Sequence, residues 1–450
     1  MVATIGQLRG LVAVGALDRV GYLSCVSGSA WAAVPFLFTA DGSERLGRVT
    51  RPDALTSEHL GQIAPGSLRG PVTTSFRDRF MSLDGDPAVP PDQAWCCAIG
   101  ETFLAPHGLY DADRRVPFGP ALGSLVSPRD GGEAFGACHR PARARPFPVV
   151  HATLNWPEVR DQGQHLLPFE HTPLYVGAPV RRHLRDALGA MRTVGGTYLE
   201  PRGTDRVPAP RPFTLADMIG ASSALYTPER DVSGYPHARY RTVPTPDSGP
   251  DTVNDLFTDG GDVDTHALLG MLRRRVPRVV IFLNSIWPLD PDYDHRDWPE
   301  VGQIDPALAL LFGQPSTQWS KNQVFPRTAF RSIVESWQRA QRSGRPLVAT
   351  TQIPVQANPW WGIAGGWDVS VCWIYNGRAA DWESLLPASV RRLLAADDTK
   401  SLVARFPHYL TIGQNPGALT RLTPLQAQLL AELAGWGVLE SADAVRDVLG

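Results

Sequence analysis

The stretch YLSCVSGSAWAAVPFLF, residues 22–38, governs the reading of the whole chain. Tyr22 to Val26 is short and apolar enough for a buried strand, and Ala30 to Phe38 predicts a buried helix that Pro35 kinks or shortens. Between them stands Ser27-Gly28-Ser29. A serine at a sharp strand-to-helix turn has its hydroxyl lifted out of the sheet. A glycine after it lets the backbone approach a substrate and lend its N–H, at a helix N-terminus, to a developing oxyanion. The G-x-S-x-G pattern is incomplete, with Cys25 in place of its first glycine and Ser29 in place of its last. The triplet alone therefore fits a structural turn as well as a nucleophile elbow.

Toward the N-terminus, Ile5, Leu8, Leu11 and Val12 fall at helical spacing and predict a mostly buried helix that stops at Gly15, a residue suited to a left-handed C-cap. Asp18 and Arg19 end the apolar run from Leu11 to Leu17 too early for a secretion signal, and nothing else approaches bilayer length. A cytoplasmic protein, at most peripheral to a membrane, is expected. Toward the C-terminus, residues 40–150 become rich in Pro, Gly and Arg with one helical island, Ala94 to Leu104. This segment reads as a cap or lid over a substrate, or as an irregular surface insertion. Pro148 to Leu154 reads as a return strand and Pro173 to Val176 as a short one. Asp255 to Thr258, the turn Asp259-Gly260-Gly261, a helix from Thr265 to Arg275 and the run Val279 to Leu283 together predict a βαβ unit. The expected fold is α/β, a mainly parallel central sheet with helices on both faces and an irregular cap insertion.

With 450 residues, 43% of them apolar and 20% charged, the chain buries a sizeable core. A formal net charge of -2 argues against a nucleic-acid partner, since phosphate binding leaves a strong basic excess. The five cysteines, with Cys96 and Cys97 adjacent, give neither a disulfide framework nor a zinc spacing.

The ungapped stretch GQLRGLVAVGALDRVGYLSCVSGSAW (Gly6 to Trp31) resembles the segment of patatin-like and cytosolic phospholipase A2 catalytic domains that ends in their G-L-S-G-S-T-W nucleophile motif. Ser27 takes the serine position, and Gly6, Leu11, Gly15, Leu17, Asp18 and Tyr22 fall on like residues. LLPFEHTPLYVGAP (Leu166 to Pro179) resembles the family's F-x-x-TP-x-x-x-G stretch, and Phe406 to Val438 resembles the closing segment of its bacterial members. The resemblance implies a single patatin/phospholipase-like α/β domain over residues 1–450. It also implies a serine acyl-ester hydrolase using a Ser-Asp dyad and an acyl-enzyme, with a phospholipid or lysophospholipid as substrate and no metal or organic cofactor.

In that family the base is an aspartate in a D-G-G, D-G-A or D-S-G turn. Of two D-G-G sequences here, Asp130-Gly131-Gly132 lies in an Arg- and Pro-rich loop and Asp259-Gly260-Gly261 between a strand and a helix. The second is the expected acid turn. Ser27, Asp259, the Gly28 N–H as oxyanion donor and the turn glycines Gly260 and Gly261 form the expected site. The resemblance further implies a glycine-rich G-G-G-x-R oxyanion loop before the first helix, whereas Met1-Val2-Ala3 align just after it. The domain thus reads as truncated at its N-terminus. Since one oxyanion donor is worth roughly a hundred- to a thousandfold in rate, weak activity is expected of this chain and more of one extended upstream.

Competing constellations are few. A Ser-His-Asp triad has His151, His171 and His266 available near predicted elements, none in a distinctive context. Asp290, Asp292 and Asp294 open like a calcium loop, but His295 replaces the turn glycine and Val301 the twelfth-position glutamate, so an acidic surface loop is expected. Arg140, Arg143, Arg145, Arg181, Arg182 and Arg185 could meet anionic headgroups or form solvated faces. Gly195-Gly196 and Gly365-Gly366 read as turns. Thr423-Pro424 opens an amphipathic helix to Gly435, expected to be buried against the sheet. From a different class, a catalytically lapsed lipid-binding module remains an alternative, and within enzymes a transacylase does.

Overall fold

β1, Tyr22–Val26, forms where the sequence predicts it and pairs in parallel with β2, Phe147–Asn155, from Tyr22 opposite Phe147 to Val26 opposite His151. The computed structural model describes residues 1–90, 92–111, 139, 141–142, 146–155, 166–173, 175–185, 191–194, 213–224, 238–242, 253–316, 321–396, 401, 403–410 and 421–450. These fall into two compact units. One comprises Gly21–Gly42 and Phe76–Ala267, the other Met1–Val20, Ser43–Ser75 and Leu268–Gly450.

The first unit holds β1 and a sheet built on β2. Val149, Val150, Ala152 and Leu154 of β2 are buried to 1% exposure or less, so this strand is covered on both faces. β3 (Leu166–His171) pairs antiparallel with β2, and β4 (Val176–Gly177) antiparallel with β3. β5 (Arg182–Arg185) and β6 (Met191–Val194) make a separate two-stranded ladder. β7 (Ala238–Thr242) and β8 (Val253–Asp259) complete the order β4-β3-β2-β8-β7, with β8 antiparallel to both of its neighbours.

The α/β class with helices flanking a sheet therefore holds, but the expected parallel character is confined to β1 with β2 in this unit. A strand buried on both faces reads as a parallel-sheet strand, yet an antiparallel strand covered on both sides has the same apolar run. The ten residues 156–165 that join β2 to β3 are also fewer than a parallel crossover requires.

The helix Ala30–Phe38 is buried along its whole length and contains Pro35, as expected. The Ala94 to Leu104 island appears as a helix over Ala94–Ile99 continued by a π-helical turn, Gly100–Leu104. The 40–150 stretch is more helical than its composition implies, with further helices at Gly42–Leu46, Ser57–Leu60 and Phe76–Asp84. Trp31 stacks on Phe103 at 4.5 Å and meets Phe76 edge-on at 5.3 Å, while Phe80 meets Trp95 at 5.4 Å. These rings are a core worth more than their area alone. The helix Leu215–Ser222 is capped at Thr214, whose Oγ1 accepts from the Asp217 N–H while the Asp217 carboxylate accepts from the Thr214 N–H.

The second unit has a three-stranded sheet of β9 (Arg278–Leu283), β10 (Leu347–Val355) and β11 (Trp367–Tyr375), with β11 in the middle, parallel to β9 and antiparallel to β10. The predicted βαβ unit is thereby corrected: β8 and β9 pair within different sheets. The helix expected between them is broken at Ala267, where φ is +52, into Gly261–Asp264 and Leu269–Arg273. Gly365-Gly366 turns the chain between β10 and β11, Gly366 at φ +81.

The helix Val2–Ala13 ends before Gly15 at φ +68, as predicted. Thr423 caps the helix Pro424–Glu440 in a capping box with Gln426 and proline at N1. That helix is buried as expected, but its partner is the first helix: a Cβ on Gly6 would lie 2.2 Å from the Ala431 carbonyl oxygen. The Arg9–Glu432 ion pair at 2.7 Å crosses the same contact. Among the described residues no helix is long and apolar enough to cross a membrane.

Candidate active site

β1 ends at Val26 in extended conformation, and the next residue, Ser27, has φ +53. A non-glycine residue there costs roughly 1–3 kcal/mol and persists only where its surroundings hold it. Two contacts do so. The Ser29 hydroxyl donates to the Val26 carbonyl and accepts from the Val26 N–H at 2.8 Å, closing the turn over Ser27. The Ser27 N–H donates to Ser222 Oγ at 3.0 Å. Ser27–Ser29 form one 3-10 turn that runs into the Ala30–Phe38 helix, so the Gly28 N–H lies in the first turn, free of intrahelical partners. Ser29, where the pattern has glycine, thus has a structural role. Cys25 is buried, and its thiol is pushed up to about 12 by burial, which removes it as a competing nucleophile.

Asp259 is the last residue of β8 and 4% exposed. Its N–H donates to the Ala224 carbonyl at 2.5 Å, and its own carbonyl accepts from Thr153 Oγ1 at 2.8 Å. Oδ1 accepts from the Gly261 N–H at 2.8 Å, and Oδ2 accepts from the Ser27 hydroxyl at 2.5 Å. Burial pushes the Asp259 carboxyl up to about 6, against the pull of the Ser27 and Gly261 hydrogen bonds. The Gly260 N–H donates to the Ser222 carbonyl at 3.1 Å. A Cβ at Gly260 would lie 2.5 Å from the His151 carbonyl oxygen and 2.6 Å from Val26 Cγ2, so this turn position accepts only glycine.

Register explains why residues 232 positions apart meet. β1 pairs with Phe147 to His151 of β2, and β8 pairs with Ala152 to Asn155. β3 occupies the other edge of β2 over Val150 to Asn155, so β1 and β8 share one edge. Running in opposite directions, they meet end to end, and their C-terminal residues deliver Ser27 and Asp259 to the same seam.

The other sequence candidates lie elsewhere. Asp130-Gly131-Gly132, Arg140, Arg143, Arg145 and Gly195-Gly196 fall outside the described residues. His151 Nε2 is 2.8 Å from Ser24 Oγ, whose own hydrogen goes to the Ala267 carbonyl at 2.6 Å; His151 is therefore the donor of that pair. His171 is fully buried, stacked on Phe213 at 5.3 Å, and burial pushes it down to about 3, too weak a base. The His266 N–H donates to Asp264 Oδ1 at 3.2 Å. Arg182 is buried and donates to the Val180 carbonyl at 2.9 Å, so it belongs neither to a headgroup-facing cluster nor to a solvated face; Arg181 is exposed, and the Arg185 side chain lies outside the described residues. In the acidic loop Asp290 Oδ1 accepts from the Asp292 N–H at 2.9 Å, and Asp294 pairs with Arg296 at 2.6 Å.

Two residues beside the Ser27–Asp259 pair have weaker marks in the sequence or none. Ser222 has no signal of its own, since nothing in a run of small residues tells which serine faces the turn. Asp262 had one, the continuation of D-G-G into D-G-G-D. Burial and the charge of Asp259 push Asp262 up to about 8, so at neutral pH one carboxyl of the pair is ionised and the other protonated.

No protein-family model matches the chain, and a sequence search of curated proteins gives no match. In structure the chain is similar to human GIVD cytosolic phospholipase A2, with a TM-score of 0.51 at 14% identity over 100% of this chain. It spans 58% of the length of that protein's chain. At such identity the likeness speaks for fold alone: the chain has a distant phospholipase A2-like α/β fold.

Proposed function

We propose that the chain is a serine acyl-ester hydrolase acting on a lipid, with Ser27 as nucleophile and Asp259 as general base. The observation that carries this reading is the 2.5 Å hydrogen bond from a serine at φ +53 to a buried carboxylate. With the Asp259 carboxyl near 6, about nine-tenths of it is ionised at pH 7, while it stays basic enough to take a proton in the transition state.

The Ser27 oxygen adds to the ester carbonyl as its proton passes to Asp259 Oδ2, and the carbonyl oxygen becomes an oxyanion facing the Gly28 N–H. Collapse breaks the ester C–O bond, and the leaving alcohol takes the proton from Asp259. Water then adds to acyl-Ser27 while giving its proton to Asp259. Release of the carboxylic acid returns that proton to Ser27.

The substrate class, a phospholipid or lysophospholipid, rests on the resemblance of the Gly6 to Trp31 stretch and on the name of the human structural relative. A fluorophosphonate probe tests the chemistry, and fatty-acid release from phosphatidylcholine and lysophosphatidylcholine vesicles tests the substrate. Labelling at Ser27 that vanishes in Ser27→Ala supports the hydrolase. No labelling favours a lipid-binding module. Acyl transfer to an added alcohol in preference to water would make it a transacylase.

A further inference from the structure

The end of the helix Leu215–Ser222 touches Ser27 and Gly260, the residue that follows Asp259. Ser222 is fully buried; its Oγ accepts from the Ser27 N–H at 3.0 Å and its carbonyl from the Gly260 N–H at 3.1 Å. We propose that Ser222 is a positioning residue for Ser27 and Asp259, fixing the nucleophile through its side chain and the acid turn through its main chain. This inference rests on the acyl-hydrolase reading and deepens it.

The backbone of Ser27 decides where its hydroxyl points. A residue at positive φ relaxes toward the ordinary region unless both of its peptide groups are held. The Ala30 N–H holds the side toward the helix by donating to the Ser27 carbonyl, and the Ser222 hydroxyl holds the Ser27 N–H itself. Ser27 is half-buried, and removal of this acceptor takes away the side-chain partner of its N–H, leaving the residue free to rotate toward the ordinary region. Rotation carries Oγ away from Asp259 Oδ2. The same contact engages the Ser27 N–H and leaves that of Gly28 as the elbow's donor to an oxyanion. Since Ser222 also holds Gly260, nucleophile and acid are referred to one residue, and their spacing does not depend on the two strand ends alone.

The adjacent serine supplies the control. Ser223 is as deeply buried, but its Oγ accepts from Trp31 Nε1 at 3.0 Å and donates to the Ile219 carbonyl at 2.7 Å, within the aromatic core. The experiment compares Ser222→Ala and Ser223→Ala for kcat and KM on a short-chain p-nitrophenyl ester, for the rate of fluorophosphonate labelling at Ser27, and for thermal midpoint. Ser222→Ala is expected to lower kcat and the labelling rate roughly ten- to a hundredfold with KM changed less than about threefold, because misplacement by an ångström acts on the chemical step. Ser223→Ala is expected to lower the midpoint at least as much while kcat stays within about threefold. A Ser222→Ala protein that labels at the wild-type rate, or a Ser223→Ala protein that loses as much kcat, overturns the positioning role alone. A wild-type chain whose Ser27 takes no label overturns the parent reading and this one with it.

Discussion

Val26 and Asp259 end their strands on adjacent residues of the same partner, Val26 opposite His151 and Asp259 opposite Ala152. Neighbouring residues along a strand are about 3.3 Å apart, so this register brings the two chain ends within side-chain reach before any side chain is considered. The hydrogen bond from Ser27 to Asp259 is its consequence. A one-residue slip of either strand would turn every side chain on it to the other face and separate the pair.

The first prediction concerns the dyad as a unit. Ser27→Ala and Asp259→Asn are each expected to reduce kcat/KM for an activated ester by roughly a thousandfold or more, and the double variant by little further, because groups acting on one proton are not additive. Independent, multiplying losses in the double variant would contradict a shared proton transfer.

Gly260→Ala is expected to act through shape. Its Cβ has no room between the His151 carbonyl and Val26, which are backbone and packed strand and cannot swing aside. Overpacking of this kind costs about 1–3 kcal/mol. Urea unfolding should show that loss together with loss of Ser27 labelling. Gly261→Ala, whose Cβ would come within 3.0 Å of Asp259 Oδ1 and meet Thr265 Oγ1 at an ordinary 3.9 Å, should be milder on stability. Equal stability of Gly260→Ala and wild type would mean that the acid turn does not pack on the end of β1.

The strand-to-helix turn at Ser27 and the D-G-G turn at Asp259 were legible because each is a local device. A strand, a small-residue turn and a buried helix occupy contiguous residues, and a D-G-G turn after a strand is visible in one line of sequence. Strand direction was not legible. β2 is covered on both faces, so its composition carries no mark of whether β3 and β8 run with it or against it. The break at Ala267 was equally hidden, since alanine is a strong helix former and nothing in the sequence marks a φ of +52 there. Ser222 and Ser223 show the same limit. Side by side and chemically identical, they face different partners because successive helical residues point about 100° apart, and only the packed helix decides which serine meets Ser27.

The pH dependence of activity follows from Asp259. In the proposed mechanism the base must be ionised, and burial pushes the Asp259 carboxyl up to about 6, so kcat/KM is expected to fall about tenfold per pH unit below that value and to level off above it. Asp262 is protonated throughout this range, so Asp262→Asn should leave the acid limb in place. A limb centred near 4 would mean that the Asp259 carboxyl is solvated.

The same titration fixes the sign of a stability effect. Asp259 and Asp262 both sit above the ordinary carboxylate value of 3.8, near 6 and near 8. A raised folded-state value means that the folded chain binds the proton more tightly than the unfolded one. The contribution to stability is then complete below about pH 4 and is lost as pH rises, through about 6 for Asp259 and through about 8 for Asp262. Asp259→Asn keeps the shape of the side chain and removes its ionisation. It is expected to be more stable than wild type at pH 7.5, by on the order of 2 to 3 kcal/mol, with the advantage shrinking toward zero near pH 4. Urea unfolding of both proteins at pH 4.5 and 7.5 reads this difference directly. A carboxylate held ionised in a buried turn destabilises the fold to the extent that it is made more basic, which is the trade between stability and activity expected of the proposed base. A variant no more stable than wild type at pH 7.5, or one whose advantage is greatest in acid, would show that burial does not govern the proton affinity of Asp259.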